Sequence, residues 1–172
     1  MTEHERRTRF DDLYAQYDRR VFAYCLHVTS DRDLANDVYQ EVFVKVYLMM
    51  HTVRDTEKTV HWLFRIARNE CLNALKVRQR NEKRTMTLDE GRDASYTSDP
   101  AEQSDEAAHV RWGLNQLSDE HREALLLAEC EGFTIKEIAE ITGTSASNVK
   151  VRIHRAKQKL QMLLHPILNE NA

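Results

Sequence analysis

Apolar residues recur every three or four positions through most of the N-terminal half of the chain, which is the spacing of helices that bury one face. The pattern predicts three helices there. The first covers residues 8–29 and the third covers residues 59–80. The second begins after a cap at Ser30 or Asp31 and runs to about Met50. The polar stretch "HTVRDTEK" that follows is predicted to be a loop.

The second and third helices each have a predicted buried stripe and an exposed face, because side chains three, four or seven residues apart share one side of a helix. The buried stripes are Ala35, Val38, Val42, Val46 and Met49 in the second helix, and Leu63, Ala67, Cys71 and Ala74 in the third. The exposed faces are Asp33, Asp37, Gln40 and Glu41 in the second helix, and Arg65, Arg68, Asn69 and Lys76 in the third. The second helix therefore presents mainly carboxylates to solvent, and the third presents cations.

The periodicity stops at residues 85–103, "TMTLDEGRDASYTSDPAEQ", which contain Gly91, Pro100 and several Ser and Thr but few large apolar side chains. Such a segment buries too little apolar surface to offset the entropy of ordering it. It is predicted to be a flexible acidic linker between an N-terminal domain at residues 1–84 and a C-terminal domain at residues 104–172.

Helical periodicity resumes near Ser104, and the C-terminal half carries clear signals for helix starts and stops. A first apolar stripe is formed by Ala107, Val110, Leu114 and Leu117. Ser118 is a predicted cap for the next helix, and Gly132 is predicted to end it. Thr134 and Glu137 have the spacing of a capping box, which opens a third, short helix.

The stretch "TIKEIAEITGTSASNVKVRIHRAKQKL" has the pattern of a helix-turn-helix, with a small Ala139, a turn glycine at Gly143 and an apolar Val149. Ser145 is the predicted cap of the last helix. Its inner face is Val149, Ile153, Ala156 and Leu160, and its outer face is Lys150, Arg152, His154, Arg155, Lys157 and Lys159. The pattern alone also fits an ordinary helical hairpin, but a helix with five exposed cations and no acidic residue favours DNA binding.

The composition favours an all-α fold, because the chain has only four Gly and two Pro in 172 residues. Cys25, Cys71 and Cys130 each lie in an apolar segment without CxxC spacing, so we expect buried, reduced thiols, no metal site and no cofactor.

"MTEHERRTRF" does not resemble a signal peptide, and no apolar run approaches the roughly 20 residues that span a bilayer. We therefore expect a cytoplasmic protein without membrane insertion. The sequence contains no Ser/His/Asp arrangement and no Gly-rich phosphate loop, so we do not expect an enzyme.

The net charge of −3 conceals two basic segments separated by an acidic one. Residues 65–84 contain seven cations and two anions, and residues 144–160 contain five cations and no anion. Residues 85–106, in contrast, contain seven anions and one cation. Two basic segments, each on a predicted helix, indicate two contacts with a polyanion joined by a solvated tether.

Two stretches of the chain together resemble the bacterial sigma factors. "DLANDVYQEVFVKVY", followed by "WLFRIARNECLNAL", is similar to their second conserved region. "LSDEHREALLLAECEGFTIKEIAEITGTSASNVKVRIHRAKQKL" is similar to their fourth, and no stretch resembles the first or the third. This arrangement is typical of the extracytoplasmic-function, or ECF, group. The resemblance implies an all-α protein of two small domains that binds core RNA polymerase, directs it to promoters and helps to melt them.

The resemblance also implies roles for particular residues. Asp37, Gln40 and Glu41 are expected to dock on the clamp helices of the largest polymerase subunit. The residues expected to capture the minus-ten element as a single strand with one flipped base are Arg54, Trp62, Arg65, Arg68, Asn69 and Lys76. The residues expected to contact the minus-thirty-five element in the major groove are Ser145, Ser147, Asn148, Lys150, Arg152, His154 and Arg155. Core polymerase, promoter DNA and an anti-sigma factor are the expected partners.

Three alternatives stay open on the sequence alone. Trp62 could be a core or hinge aromatic instead of a surface on which a base stacks. The chain could be a conventional helix-turn-helix repressor or activator, with residues 1–84 as an effector or dimerisation domain. It could also be an enzyme whose scattered Cys and His side chains meet only in the folded protein. Only the sigma-factor interpretation accounts for both basic segments and the acidic helix face together.

Overall fold

The N-terminal unit of the protein consists of α1 (Glu3–Thr29), α2 (Arg32–Met49) and α3 (Thr59–Thr85), with a 3₁₀ turn at Met50–Thr52 after α2. The C-terminal unit consists of α4 (Asp105–Asn115), α5 (Asp119–Glu129), α6 (Ile135–Thr142) and α7 (Ala146–Glu170). The structure is a computed structural model that describes residues 2–53, 58–85 and 104–170. Every regular element in these three ranges is a helix, which confirms the predicted all-α class with two helical domains.

α1 begins at Glu3, before the start that the apolar periodicity predicts, because polar residues cap its first turn. The Thr2 hydroxyl accepts a hydrogen bond from the Glu5 amide at 3.2 Å, and the Glu5 carboxylate accepts one from the Thr2 amide at 2.7 Å. The hydrogen bond from the Thr2 amide is the main cause that lowers the pKa of the Glu5 carboxyl from its ordinary value. Apolar spacing identifies only the part of a helix that packs on a core, so it misses this exposed first turn.

Ser30 and Asp31, the two residues predicted as alternative caps of α2, have different roles at the junction between α1 and α2. Ser30 follows α1 in the left-handed conformation, with a φ of 52°, and its amide donates to the Leu26 carbonyl at 2.9 Å. Asp31 caps α2, because its carboxylate accepts a hydrogen bond from the Leu34 amide at 2.9 Å. Ser30 therefore turns the chain, and Asp31 starts the next helix.

The core of the N-terminal unit lies between α1, α2 and α3, and each of these helices contacts the other two. The predicted stripe residues with no exposed surface are Ala35, Val42, Val46, Leu63, Ala67 and Cys71. Phe64 and Ile66 are also buried, although they lie outside the predicted stripe of α3, and Ala74 is only half-buried. α3 packs against two helices at once, so it buries a wider arc of its surface than a single stripe.

The predicted burial of Met49 is wrong. Met49 is 41% exposed, whereas Met50 has no exposed surface. The two residues follow Val46 by three and four positions, so helical periodicity does not choose between them. α1 packs against the 3₁₀ turn that Met50 begins, and this contact places Met50 inside the core.

α3 continues to Thr85, beyond its predicted end near Arg80. Most side chains in its last three turns are exposed, so this part of the helix extends past the hydrophobic core. Arg78 is half-buried, and its guanidinium pairs with the Asp31 and Glu82 carboxylates, each at 3.4 Å. Lys, Arg, Gln and Glu favour helix without apolar burial, and they are common in this segment.

The helices of the C-terminal unit start where the sequence predicts. The Ser104, Ser118 and Ser145 hydroxyls each accept a hydrogen bond from the amide three residues further on, at 3.2, 3.4 and 3.1 Å. The Thr134 hydroxyl accepts a bond from the Glu137 amide at 3.3 Å, and the Glu137 carboxylate accepts one from the Thr134 amide at 2.7 Å. The predicted capping box at the start of α6 is therefore confirmed.

α7 is the central helix of the C-terminal unit, and α4, α5 and α6 each pack against it. The buried core is formed by Leu114, Leu117, Leu125, Leu126 and Ala156, with Ile153 and Leu160 partly buried against it. Gly113 lets α4 approach α7 closely, since a Cβ there would lie 2.6 Å from Leu160 Cδ1. The predicted burial of Val110 is wrong: it is 42% exposed, because only the C-terminal end of α4 enters the core.

Two further predictions concern the cysteines and the linker. Cys25 and Cys71 are buried as predicted, but Cys130 is exposed, because it follows the end of α5 at Glu129. The predicted linker at residues 85–103 lies outside the described residues, apart from its first residue, which ends α3. None of the described helices is long and apolar enough to cross a membrane.

Each unit contains one tryptophan, Trp62 in α3 and Trp112 in α4, so each unit has its own fluorescent reporter. Replacing the fully buried Ile138 by Ala should destabilise the C-terminal unit by about 2–5 kcal/mol, the usual cost of such a cavity. Two single-tryptophan forms measure the effect in each unit by urea unfolding. Trp62→Phe keeps Trp112 and reports on the C-terminal unit, and Trp112→Phe keeps Trp62 and reports on the N-terminal unit. We expect a shift only in the transition reported by Trp112. A matching shift at Trp62 would show that the two units unfold together.

Candidate nucleic-acid interface

α6 and α7 are joined by a three-residue turn, Gly143, Thr144 and Ser145, which is typical of a helix-turn-helix. Gly143 has a φ of 67°, a left-handed conformation that suits glycine. The Thr144 amide donates to the Ala139 carbonyl at 3.2 Å, and the Asn148 side-chain amide donates to the Thr144 hydroxyl at 3.1 Å. Local hydrogen bonds therefore fix where α7 starts relative to α6.

The packing of α7 decides which of its side chains are accessible. Val149 and Ala156 have no exposed surface, which confirms the predicted inner face. The exposed predicted contacts are Ser145, Ser147, Asn148, Lys150, His154 and Arg155. Within the described ranges, neither Lys150 nor Arg155 pairs with a carboxylate. These two cations are therefore available to an external anion.

Arg152 does not lie on the exposed face, and this prediction is wrong. Its side chain is 17% exposed and pairs with the Glu120 carboxylate of α5 at 3.0 Å. Lys157 pairs with Glu129 at the end of α5 at 2.6 Å, and Lys159 donates to a backbone carbonyl just after α4 at 2.5 Å. α5 and the end of α4 lie along this flank of α7, so these three cations hold α7 within its unit.

One face of α3 is a stripe of polar and basic side chains without a carboxylate. The members of this α3 stripe, spaced three or four residues apart, are Arg65, Asn69, Asn73, Lys76, Arg80 and Lys83. All of them are exposed, and at 1.5 Å per residue the stripe is about 27 Å long. Trp62 lies half-buried on the same side of the helix, one turn before Arg65.

The two carboxylates of α3 lie off the stripe, and each is paired. Glu70 pairs with Lys45 of α2 at 2.6 Å, and Glu82 pairs with Arg78 at 3.4 Å. Neither Lys45 nor Arg78 belongs to the α3 stripe. The acids of α3 are thus neutralised by other cations, and the positive charge of the stripe is left for an external partner.

The structure brings together only part of the predicted minus-ten set. The predicted residues that belong to the α3 stripe are Arg65, Asn69 and Lys76. Arg68 is half-buried beside the stripe, and Arg54 lies outside the described residues. The stripe members that the sequence prediction missed are Asn73, Arg80 and Lys83. The spacing of three or four residues that continues after Lys76 could have identified them.

The predicted acidic face of α2 is exposed and continues into apolar residues. Its predicted members Asp33, Asp37, Gln40 and Glu41 are all exposed. Val44 and Leu48 follow Gln40 at a spacing of four residues and are 54% and 57% exposed. Large exposed apolar side chains beside carboxylates are typical of a protein-binding surface. The sequence prediction missed this apolar pair, although it lies opposite the buried stripe of α2.

Within the part of the chain that the structure describes, no group of three or more His, Cys, Asp or Glu side chains is placed to hold a metal ion.

A helix-turn-helix with a basic outer face, together with the α3 stripe, defines a helical DNA-binding protein. The Sigma-70 region 2 family matches residues 13–81, and the Sigma-70, region 4 family matches residues 113–160. ECF RNA polymerase sigma factor SigM of Bacillus subtilis is 30% identical over 164 residues, which cover 93% of this chain and 98% of SigM. The chain belongs to the ECF group of the sigma-70 family.

Another relative and two solved structures have the same organisation. RNA polymerase sigma-H factor of Pseudomonas aeruginosa is 31% identical over 180 residues, covering 94% of this chain and 89% of that protein. Sigma factor RpoE of Bartonella quintana, solved in complex with the anti-sigma factor NepR, has a TM-score of 0.75 at 26% identity, over 91% of this chain and 96% of RpoE. CnrH, solved with the cytosolic domain of CnrY, has the same fold, with a TM-score of 0.63 at 24% identity over 91% of this chain and 88% of CnrH.

The protein is therefore an RNA polymerase sigma factor, which directs core polymerase to specific promoters and assists promoter melting at the start of transcription. This confirms the function predicted from the sequence. The comparisons do not favour the alternative of a conventional helix-turn-helix repressor or activator. The family is one of transcription factors, and sigma factors are not enzymes.

Arg152 and Lys150 are neighbours on α7 with different surroundings. Arg152→Ala should destabilise the C-terminal unit by about 0.5–1 kcal/mol, because it removes a half-buried ion pair and the packing of the side-chain stem. Lys150→Ala is the matched control, since it removes the same charge from an exposed position, and its effect should stay within about 0.5 kcal/mol. Urea unfolding followed at Trp112 measures both variants. Equal losses would show that Arg152 does not hold α7 against α5.

Proposed function

We propose that the two units of this sigma factor contact different parts of the promoter. Residues 1–84 bind core polymerase through α2 and the minus-ten element through α3. Residues 104–172 place α7 in the major groove of the minus-thirty-five element, and residues 85–103 link the two. The observation that carries the proposal is that the α3 stripe and the outer face of α7 present cations on surfaces that lack carboxylates. Such surfaces attract the phosphate backbone of DNA.

At the minus-thirty-five element, α7 presents side chains that suit base edges and phosphates. They are Ser145, Ser147, Asn148, Lys150, His154 and Arg155. Asn pairs well with adenine edges, and Lys or Arg pair with guanine edges or with phosphates. Arg152, the remaining member of the predicted set, supports these contacts by its ion pair with Glu120, which orients α7 on α5.

At the minus-ten element, the α3 stripe follows the DNA strand for about 27 Å. Asn69 is exposed within the stripe, where its amide can hydrogen-bond a base edge, and the half-buried Trp62 offers part of its ring for stacking. The cations assigned to phosphates are Arg65, Lys76, Arg80 and Lys83, with Arg68 beside the stripe and Arg54 before it.

The exposed face of α2 docks on the clamp helices of the largest polymerase subunit in this proposal. Asp37, Gln40 and Glu41 supply polar and charged contacts, and Val44 and Leu48 supply the apolar centre. An apolar centre with a polar rim is common in protein interfaces. This face and the α3 stripe lie on different helices, so polymerase and DNA can bind at the same time.

An anti-sigma factor is the further partner that we propose. RpoE, which has the same fold at 26% identity, was solved in complex with the anti-sigma factor NepR. We also place the protein in the cytoplasm, where polymerase and promoter DNA are found, without membrane insertion. The proposed contacts require no cofactor and no catalytic step.

Removing the two unpaired cations of α7 should weaken promoter binding and flatten its salt dependence. For Lys150→Ala with Arg155→Ala, the slope of log affinity against log salt should fall by roughly two, because two phosphate contacts are lost. The matched control is Lys157→Ala with Lys159→Ala, which loses the same charge from side chains already engaged within the unit. Binding of the holoenzyme to promoter duplex over a range of salt concentrations measures both slopes. Equal changes in slope for the two double variants would contradict the proposal that Lys150 and Arg155 face the major groove.

Transcription by core polymerase from a library of promoter sequences tests the proposed function directly. We expect specific transcripts only when this protein is added. On a promoter recovered from the library, Asn69→Ala should leave core affinity nearly unchanged and reduce open-complex formation by about threefold to tenfold, the effect of one lost hydrogen bond. Asp37→Arg with Glu41→Arg should instead weaken core binding, because reversed charges meet a basic partner.

Permanganate footprinting measures the melted promoter in these variants, and titration of labelled core polymerase measures docking. Asn81→Ala is the matched control for Asn69→Ala, because Asn81 is an exposed residue of α3 that lies off the stripe. It should change neither quantity. If Asn69→Ala and the charge-reversed α2 variant lose melting and docking to the same extent, the assignment of separate faces is wrong.

A further inference from the structure

Asn148 differs from the two unpaired cations of α7 in how firmly its side chain is held. Its side-chain amide donates to the Thr144 hydroxyl at 3.1 Å, and its backbone amide donates to the Ser145 hydroxyl at 3.1 Å. The side chains of Lys150 and Arg155 form no hydrogen bond or ion pair with any described residue. Asn148 is therefore oriented in the free protein, whereas the two cations are not.

Both ends of the hydrogen bond between Thr144 and Asn148 are attached to a fixed backbone. Thr144 is half-buried in the turn after Gly143, and its amide donates to the Ala139 carbonyl of α6 at 3.2 Å. Asn148 directly precedes Val149, which has no exposed surface and holds the first turn of α7 in the core. The hydrogen bond thus ties the exposed Asn148 side chain to the turn, so the orientation of its amide is set by the helix-turn-helix itself.

The bond to Thr144 leaves the Asn148 amide with the two groups that adenine requires. A side-chain amide has two N–H donors and one carbonyl acceptor. Thr144 accepts from one N–H, so the other N–H and the carbonyl remain for a ligand. In the major groove adenine presents an acceptor at N7 and a donor at N6, and an Asn side chain can bind both at once. Asn148 lies in the first turn of α7, and the first turns of a recognition helix commonly contact base edges.

We infer that Thr144 is a positioning residue that orients Asn148 to select adenine at one base pair of the minus-thirty-five element. Thr144 acts through Asn148 and not through a DNA contact of its own. Because the Asn148 amide is already ordered, binding loses less side-chain entropy, and the correct base gains more than the others. The inference rests on the proposed function of α7 and adds the base that one contact selects and the residue that orients this contact.

The test measures the base preference of the holoenzyme at each position of the minus-thirty-five element. The probes are duplexes of a promoter recovered from the library, each with one base pair changed. Asn148→Ala identifies the pair that Asn148 contacts, where an adenine preference should fall about fivefold to hundredfold. Thr144→Val removes the hydroxyl but keeps the branched shape. It should reduce the same preference about twofold to tenfold, the usual effect of leaving one side chain to be ordered on binding.

Thr144→Ser and Thr142→Val are the matched controls. Thr144→Ser keeps the hydroxyl and should restore most of the preference. The Thr142 hydroxyl donates to the Ile138 carbonyl within α6 at 2.7 Å, so Thr142→Val should change the stability of the unit and leave the preference unchanged. The preference is a ratio of two affinities of the same protein, so incompletely folded protein does not affect it. If Thr144→Val does not fold, Thr144→Ala replaces it with the same expected loss.

The double variant Thr144→Val with Asn148→Ala separates positioning from a direct DNA contact. If Thr144 acts only through Asn148, removing its hydroxyl should have no further effect once the Asn148 amide is absent. A further loss of promoter affinity in the double variant would show that Thr144 contacts DNA itself, and it would overturn the inference. An equal loss of affinity for all duplexes in Thr144→Val would indicate a purely structural role and would also overturn it.

The inference is equally wrong if Thr144→Val keeps the full adenine preference, or if the pair that Asn148 contacts selects another base. The salt slope of Lys150→Ala with Arg155→Ala distinguishes these results from failure of the proposed function. If Asn148→Ala changes no preference but the slope falls as expected, α7 binds the element without this contact and only the inference is wrong. If neither changes, α7 does not lie in the groove, and the proposed function of the C-terminal unit fails as well.

Discussion

Repulsion between carboxylates and phosphates limits where a chain with a net charge of −3 can bind DNA. In α3 the constraint is met by ion pairs, because Lys45 neutralises Glu70 and Arg78 neutralises Glu82. In α7 it is met by composition, since residues 144–160 contain no acid. The cations of α3 and α7 therefore fall into two sets. Those on packed flanks neutralise carboxylates or hold helices together, and those on outer faces are the ones that we propose to contact DNA.

α1 organises the N-terminal unit along its whole length. Its middle turns bury Leu13, Tyr17 and Val21 against the other helices, its first turns hold the 3₁₀ turn after α2, and Ser30 reverses the chain into α2. α2 and α3 are thereby held with their outer faces uncovered, one acidic and apolar, the other basic. α7 has the corresponding role in the C-terminal unit, where its packed flank carries the ion pair of Arg152 and its outer face is basic.

The sequence by itself determined the number and approximate position of the helices, most of their caps and the family. The caps that it identified are Ser118, Thr134 with Glu137, and Ser145, and Asp31 was one of its two candidates before α2. Each of these hydrogen bonds joins residues three positions apart, and Gly143 adopts the left-handed turn that its missing Cβ permits. Interactions between such near neighbours are present in the order of residues. The same is true of the two conserved motifs, whose order and spacing identified a sigma factor before any packing was known.

Only the tertiary structure decided which side chains are accessible. Met49 and Val110 were predicted to be buried and are exposed, and Arg152 was predicted to be exposed and is mostly buried. The neutralisation of Glu70, which lies off the α3 stripe, depends on Lys45, 25 residues away in the sequence. Helical periodicity states which residues share a face, but it does not state which neighbouring helix covers that face. Burial and ion pairing between helices arise only when distant segments pack together, so no local pattern contains them.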